Sequence, residues 1–266
     1  MKEAALPRGR IRAVFFDVQG TLVDREGGWK AAFAEALGEF AGRWEKGDFS
    51  PEDAADRYAA ALRSGDGARS GGGARRSRSA GSSRSPRMSK RRHLAAMKAA
   101  LAGSPFDVTP SFLASLYRRT KALASRHPVA APGAGDVLGR LSRRYRLGII
   151  SNSPRERVMQ LLSGAGLDGH FDDGSVFVPA GRGQGKPGKR IFRTALAAFR
   201  IKPGQAVMVG DSWRKDVLGA RRLGMHAVHV RPGRAGTGSR KARLLKRRPA
   251  VVRIAGLRQL LRLLDI

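Results

Sequence analysis

Three short apolar runs constrain this chain more than any other feature, because each stops abruptly at polar residues. The first, residues 11–16 (IRAVFF), ends at Asp17 and is broken by Gly20 and Thr21. The second, 147–150 (LGII), ends at Ser151-Asn152, and the third, 206–209 (AVMV), ends at Gly210-Asp211. A short apolar run without alternation reads as a strand buried on both faces, as in a parallel sheet. Further strand patterns lie at 175–178, 227–230 and 251–254. Helical patterns lie at 134–145, 188–199, 213–223 and 256–264. This alternation predicts an α/β fold, with a mainly parallel sheet covered by helices on both faces. Ligands of such sheets sit at the carboxyl ends of the strands. The polar residues that end the runs are therefore the first functional candidates.

Between the first two runs the pattern is helical. Apolar residues recur at helical spacing over 29–44, 94–102 and 111–125. Ser50-Pro51-Glu52-Asp53 reads as a helix start, with a Ser cap, Pro at the first position and acids in the first turn. Ser153-Pro154-Arg155-Glu156 reads as a capping box in the same way. Residues 64–93 differ in kind: Gly, Ser and Arg dominate and apolar residues are nearly absent. Such a segment cannot bury enough surface to offset its chain entropy and is expected to be a disordered loop. The expected organisation is a core of residues 1–25 and 131–266, with an inserted helical domain at 26–130 that contains this loop.

Composition narrows the chemistry. With no cysteine among 266 residues, disulfides, thiolate metal sites and a cysteine nucleophile are excluded. That composition and the absence of an apolar leader at residues 1–12 suggest a cytoplasmic protein. No apolar run approaches the length of a membrane span, roughly 20 residues. The net charge of +31 would attract polyanions, nucleic acid first among them. A compositional origin is preferred, because the basic residues spread along the whole chain. The chain also has only 3 Trp and 3 Tyr for stacking on bases. The histidines, His93, His127, His170, His226 and His229, show no metal-ligand spacing and read as structural or surface residues.

The ordered set of polar motifs resembles the haloacid dehalogenase superfamily, in its helical-cap subgroup. The first motif is matched by Asp17-Val18-Gln19-Gly20-Thr21 after a strand, and the second by Ser151-Asn152-Ser153. The third is matched by Lys186-Pro187, and the fourth by Gly210-Asp211-Ser212 with Asp216. The resemblance implies a Rossmann-like core with an inserted cap. It also implies a nucleophilic Asp17, anion binding by Lys186 and Ser151, and Mg²⁺ held by Asp17, Asp211 and the backbone carbonyl of Gln19. Asp216 is then expected to support the metal shell. The chemistry is consistent: a carboxylate forms covalent intermediates, and Mg²⁺ prefers hard oxygen donors. Gly20, Thr21 and Asn152 join the expected substrate-binding set, the first two through N–H groups of their turn. Each has a plain alternative: Asp211-Ser212 as a helix cap, Lys186 and Asp216 as surface charges, Asn152 as a turn residue.

Gln19 departs from the pattern. Phosphatases of this superfamily carry Asp there to protonate the leaving alcohol, and glutamine has no titratable proton near neutral pH. Three readings follow. The preferred one is a Mg²⁺-dependent phosphatase acting on a small phosphorylated metabolite, slowed by the missing acid or served by another proton source. The second is a dehalogenase-type hydrolase, since halide leaves without protonation. The third is a catalytically impaired protein with a nucleic-acid role.

Overall fold

The computed structural model describes residues 6–24, 27–41, 49–64, 90–124, 126–231, 242–247 and 249–266. Most of the Gly/Ser/Arg-rich stretch, residues 65–89, lies outside these, as do Trp44 and Ser125. The chain divides into two compact units, Met1–Arg25 with Val129–Ile266, and Glu26–Pro128.

The first unit is an α/β layer structure. Its strands are β1 (Ala13–Phe16), β2 (Val23–Asp24), β3 (Val129–Ala130), β4 (Arg146–Ile150), β5 (Val176–Phe177), β6 (Ala206–Gly210), β7 (His226–Val230), β8 (Arg243–Arg247) and β9 (Ala250–Ile254). Seven form one sheet in the order β5-β4-β1-β6-β7-β9-β8. All neighbours in it are parallel except the edge pair β8–β9. This is the Rossmann-like, mainly parallel sheet that the alternation predicts. Every residue of β1 is fully buried, because it is a central strand covered on both faces. Phe15 packs against Phe177 and Phe199 on one face, while Phe16 joins Val14 and Val209 on the other. Removing each such ring from water stabilises the fold by about 1.5–3 kcal/mol.

The helices of this unit are α5 (Ala134–Leu141), α6 (Arg155–Gly164), α7 (Lys189–Ala198), α8 (Gly219–Arg221) and α9 (Gln259–Leu264). Two helix readings need correction. The helix α6 has no side-chain cap: Pro154 sits at its N-cap in an extended conformation. The Ser153 N–H instead donates to Ser151 Oγ at 3.2 Å, so Ser153 serves the preceding turn. The expected helix over 213–223 begins as a π-helix, Trp213–Leu218, followed by the short α8. The edge strand β8 and the β2–β3 pair were not foreseen. The latter places Val129–Ala130 beside Val23–Asp24, in the first unit.

The second unit is helical: α1 (Gly28–Ala41), α2 (Pro51–Ser64), α3 (Lys90–Ala100) and α4 (Pro110–Ala124). Phe33, Leu37, Tyr58, Met97, Leu116 and Leu123 form its core. Ser50 caps α2 as predicted, accepting the Asp53 N–H at 3.0 Å. His93 is buried here, stacked on Trp29 with Nδ1 2.6 Å from the Tyr58 hydroxyl. Among the described residues, no helix is long and apolar enough to cross a membrane.

Candidate active site

The strands β4, β1 and β6 are adjacent and parallel, so their carboxyl ends open on one crevice. Asp17 follows β1, Ser151 follows β4 and Asp211 follows β6, and all three are buried. Asp17 is still tied to β6 by its N–H, which donates to the Val209 carbonyl at 2.9 Å.

Lys186 comes from the loop before α7, and its reach into the crevice depends on Asn152. The two form a reciprocal pair: the Lys186 N–H donates to Asn152 Oδ1 at 2.7 Å, and Asn152 Nδ2 donates to the Lys186 carbonyl at 2.9 Å. Asn152, expected to bind substrate, thus uses both ends of its amide to hold the lysine backbone. The Lys186 side chain is 2% exposed, and its Nζ donates to Asp17 Oδ1 at 2.8 Å and to Asp216 Oδ1 at 2.7 Å. Burial pulls the Lys186 pKa down, but the Asp216 and Asp17 carboxylates outweigh it, and the net shift is upward. The ammonium is therefore charged throughout the neutral range.

Asp216 is not the surface charge considered as its alternative. Its side chain is 1% exposed. Gly210 makes the room: a Cβ there would lie 2.3 Å from Asp216 Cγ. The π-helix turns Asp216 inward, with both the Asp216 and Val217 N–H groups donating to the Ser212 carbonyl. Such a widened turn is a recurrent device at functional sites. Asp216 Oδ2 then accepts the Ser212 N–H at 2.9 Å. Burial pushes the Asp216 carboxyl up to about 6; Lys186 opposes this and Asp17 adds to it. Ser212 also caps the π-helix by accepting the Lys215 N–H.

Asp17, Asp211 and Asp216 each present a carboxylate oxygen within 4.8 Å of the others. Three carboxylates and one ammonium are thus gathered in a buried place. That balance and the hard oxygen donors fit a divalent cation such as Mg²⁺. Since Lys186 engages Asp17 only through Oδ1, Oδ2 has no hydrogen-bond partner among the described residues.

The turn N–H groups expected to bind substrate have partners of their own. The Gly20 and Thr21 N–H groups donate to the Val23 and Val18 carbonyls, at 2.7 and 3.2 Å. They close their own turn, for which Gly20 adopts a φ of 84°. Thr21 Oγ1 is buried and has no partner among the described residues. Gln19 forms an isolated bridge with Val23 in the same turn. A residue read as structural or surface proves to touch the site: His229 Nε2 lies 3.0 Å from the Asp211 carbonyl, to which its N–H must donate. It lies on β7 in register with Gly210, a neighbour that no motif spacing reveals. Burial, ahead of its other contacts, lowers the His229 pKa.

Known proteins resemble this chain in sequence and in fold. Residues 11–224 match the family model described as haloacid dehalogenase-like hydrolase. The chain is 41% identical over 109 residues to phosphoserine phosphatase of Thermus thermophilus, covering 41% of this chain and 43% of that protein. It is 36% identical over 104 residues to glyceraldehyde 3-phosphate phosphatase of Pyrococcus furiosus, covering 39% and 42%. The matches thus span less than half the length of either relative. Among solved structures, a defluorinating L-2-haloacid dehalogenase aligns over 100% of both chains, with 20% identity and a TM-score of 0.52. That likeness concerns the fold alone.

Proposed function

The chain belongs to the haloacid dehalogenase-like hydrolase family, and from that premise we propose that it is a Mg²⁺-dependent phosphatase of a small phosphorylated metabolite. The observation that carries this reading is the Lys186 ammonium bridging Asp17 and Asp216, with Asp211 alongside. Similarity to two phosphatases favours a phosphate ester over a carbon–halogen bond. So does the third carboxylate, which gives the cluster the charge to hold a divalent cation.

Asp17 is the nucleophile in this reading. Lys186 holds Oδ1, so the other oxygen is directed at the phosphorus. Its attack forms a phospho-aspartyl bond and breaks the bond from phosphorus to the ester oxygen, which leaves as an alkoxide or alcohol. Water then attacks the phosphorus, releasing phosphate and restoring the Asp17 carboxylate. Ser151 and Lys186 bind the phosphoryl oxygens. Asp17, Asp211 and the carbonyl of Gln19 would hold Mg²⁺, which supplies charge neutralisation when bound. Asp216 orients Lys186 and completes the cluster. Gln19 cannot donate the leaving-group proton, so turnover favours esters whose alcohol leaves readily. The helical unit, inserted between β2 and β3 in the chain, acts as the cap that selects the substrate.

Hydrolysis of an aryl phosphate by the purified protein, with Mg²⁺ and with chelator, tests this. Activity should require Mg²⁺ and vanish in Asp17→Asn. In Gln19→Asp, turnover of a poor leaving group should rise by about 10²–10⁴, the usual worth of a general acid. Full activity in Asp17→Asn would end the proposal.

A further inference from the structure

The opposite end of the same sheet carries a polar cleft, which the catalytic reading does not use. It encloses about 940 Å³ and is lined by Arg12, Arg144, Arg146, Arg200 and Gln205, with Asp172 at its edge. Arg12 immediately precedes β1, Arg146 opens β4 and Gln205 immediately precedes β6. These strands are parallel, so the cleft lies at their amino ends while Asp17, Ser151 and Asp211 lie at their carboxyl ends. At about 3.3 Å per residue, strands this short hold the two places roughly 13–17 Å apart.

Two of the guanidinium groups are set in place by the fold. Arg146 Nη1 donates to the Phe199 carbonyl at 3.0 Å, and its Cζ lies 4.1 Å from the Phe199 ring centroid. Arg144 Nη1 donates to the Asp265 carbonyl at 2.8 Å. Each tether occupies one donor of a five-donor fork and leaves the others oriented. Gln205 Oε1 accepts the Lys202 N–H at 2.9 Å, so its Nε2 is the group left to donate. Among the described residues, no carboxylate forms an ion pair with any of the four arginines. With Asp172 the one acid of the described lining, three positive charges stand in excess.

We propose that this cleft binds a phosphoanion of three or four negative charges, the phosphate chain of an oligophosphate or of a nucleoside triphosphate. Guanidinium forks engage phosphate oxygens two at a time. A single phosphate, with at most two charges, undercompensates the cleft. The net charge of +31 concentrates such anions around the molecule.

Calorimetric titration of the full chain in chelator tests this, in an Asp17→Asn background that prevents turnover. The probes are inorganic tripolyphosphate, ATP and inorganic phosphate. Tripolyphosphate and ATP should bind one per chain, and inorganic phosphate about tenfold or more weakly, because fewer charge-assisted bonds form. Arg12→Gln with Arg200→Asn should weaken both by about tenfold or more. Neither side chain has a partner to lose among the described residues, and Asn tolerates the Arg200 φ of 51°. The control pair Arg190→Gln with Arg193→Gln, on the exposed face of α7, should leave binding unchanged. Equal affinity for the two probes assigns recognition to the phosphate chain, and tighter ATP adds the nucleoside; both support the cleft. Absence of binding, binding unchanged in the cleft pair, or equal loss in the control pair overturns it.

Discussion

Replacing Lys186 with methionine keeps the stem of the side chain but removes the charge between Asp17 and Asp216. The two contacts, at 2.8 and 2.7 Å, are each worth about 6 kcal/mol of gross attraction at an effective dielectric near 20. Burying an ammonium costs several kcal/mol, which methionine recovers. What remains is a buried carboxylate cluster that has lost its lysine, and breaking buried pairs of this kind typically costs about 3–5 kcal/mol. The decisive assay is a double-mutant cycle by urea unfolding in chelator, with Lys186→Met, Asp216→Asn and the two combined. Removing the second carboxylate relieves part of the repulsion, so the double variant should be more stable than the sum predicts, by about 2 kcal/mol or more. Additivity within about 0.5 kcal/mol, the scatter of independent sites, would refute an energetic Lys186–Asp216 pair. A deficit below about 1 kcal/mol in Lys186→Met, as for an exposed ion pair, would refute the buried-charge argument altogether.

Three further outcomes are expected. Gly210→Ala places a Cβ 2.3 Å from Asp216 Cγ; overpacking of this kind costs about 1–3 kcal/mol in urea unfolding, and aryl phosphate hydrolysis should fall with it. Saturating Mg²⁺ should raise the stability of the parent by about 2.7 kcal/mol at a hundredfold excess over its Kd, read by thermal unfolding, and Asp211→Asn should lose most of that gain. His226 accepts the Ala250 N–H at Nδ1, and burial lowers its pKa from 6.5. The folded state therefore binds fewer protons than the unfolded one below pH 6.5, so this contribution is complete above that pH and is lost as the pH falls. His226→Gln should flatten the acid side of a plot of stability against pH, and an unchanged slope would exclude His226 as a source.

The sequence by itself determined the parallel part of the sheet and the identity of the residues at its strand ends. Apolar runs such as AVFF and AVMV, short, continuous and stopped by polar and Gly residues, read as strands buried on both faces. A parallel sheet must then deliver Asp17, Ser151 and Asp211 to one edge. Local chemistry was legible in the same way at Ser50, whose cap depends only on the residues that follow it. Whatever depended on neighbours distant in the chain was decided by the tertiary structure. Asp216 reads equally as a surface charge until Gly210 and the π-helix bring it under Lys186. Asn152 reads as a turn residue until it meets the lysine backbone 34 residues away. His229 becomes a partner of Asp211 only because β7 lies beside β6. The N–H groups of Gly20 and Thr21 read as anion donors by residue type, and their own turn takes them up. A hydrogen-bond donor can serve one partner well, and which partner it meets depends on how the backbone closes, information that residue type and spacing do not carry.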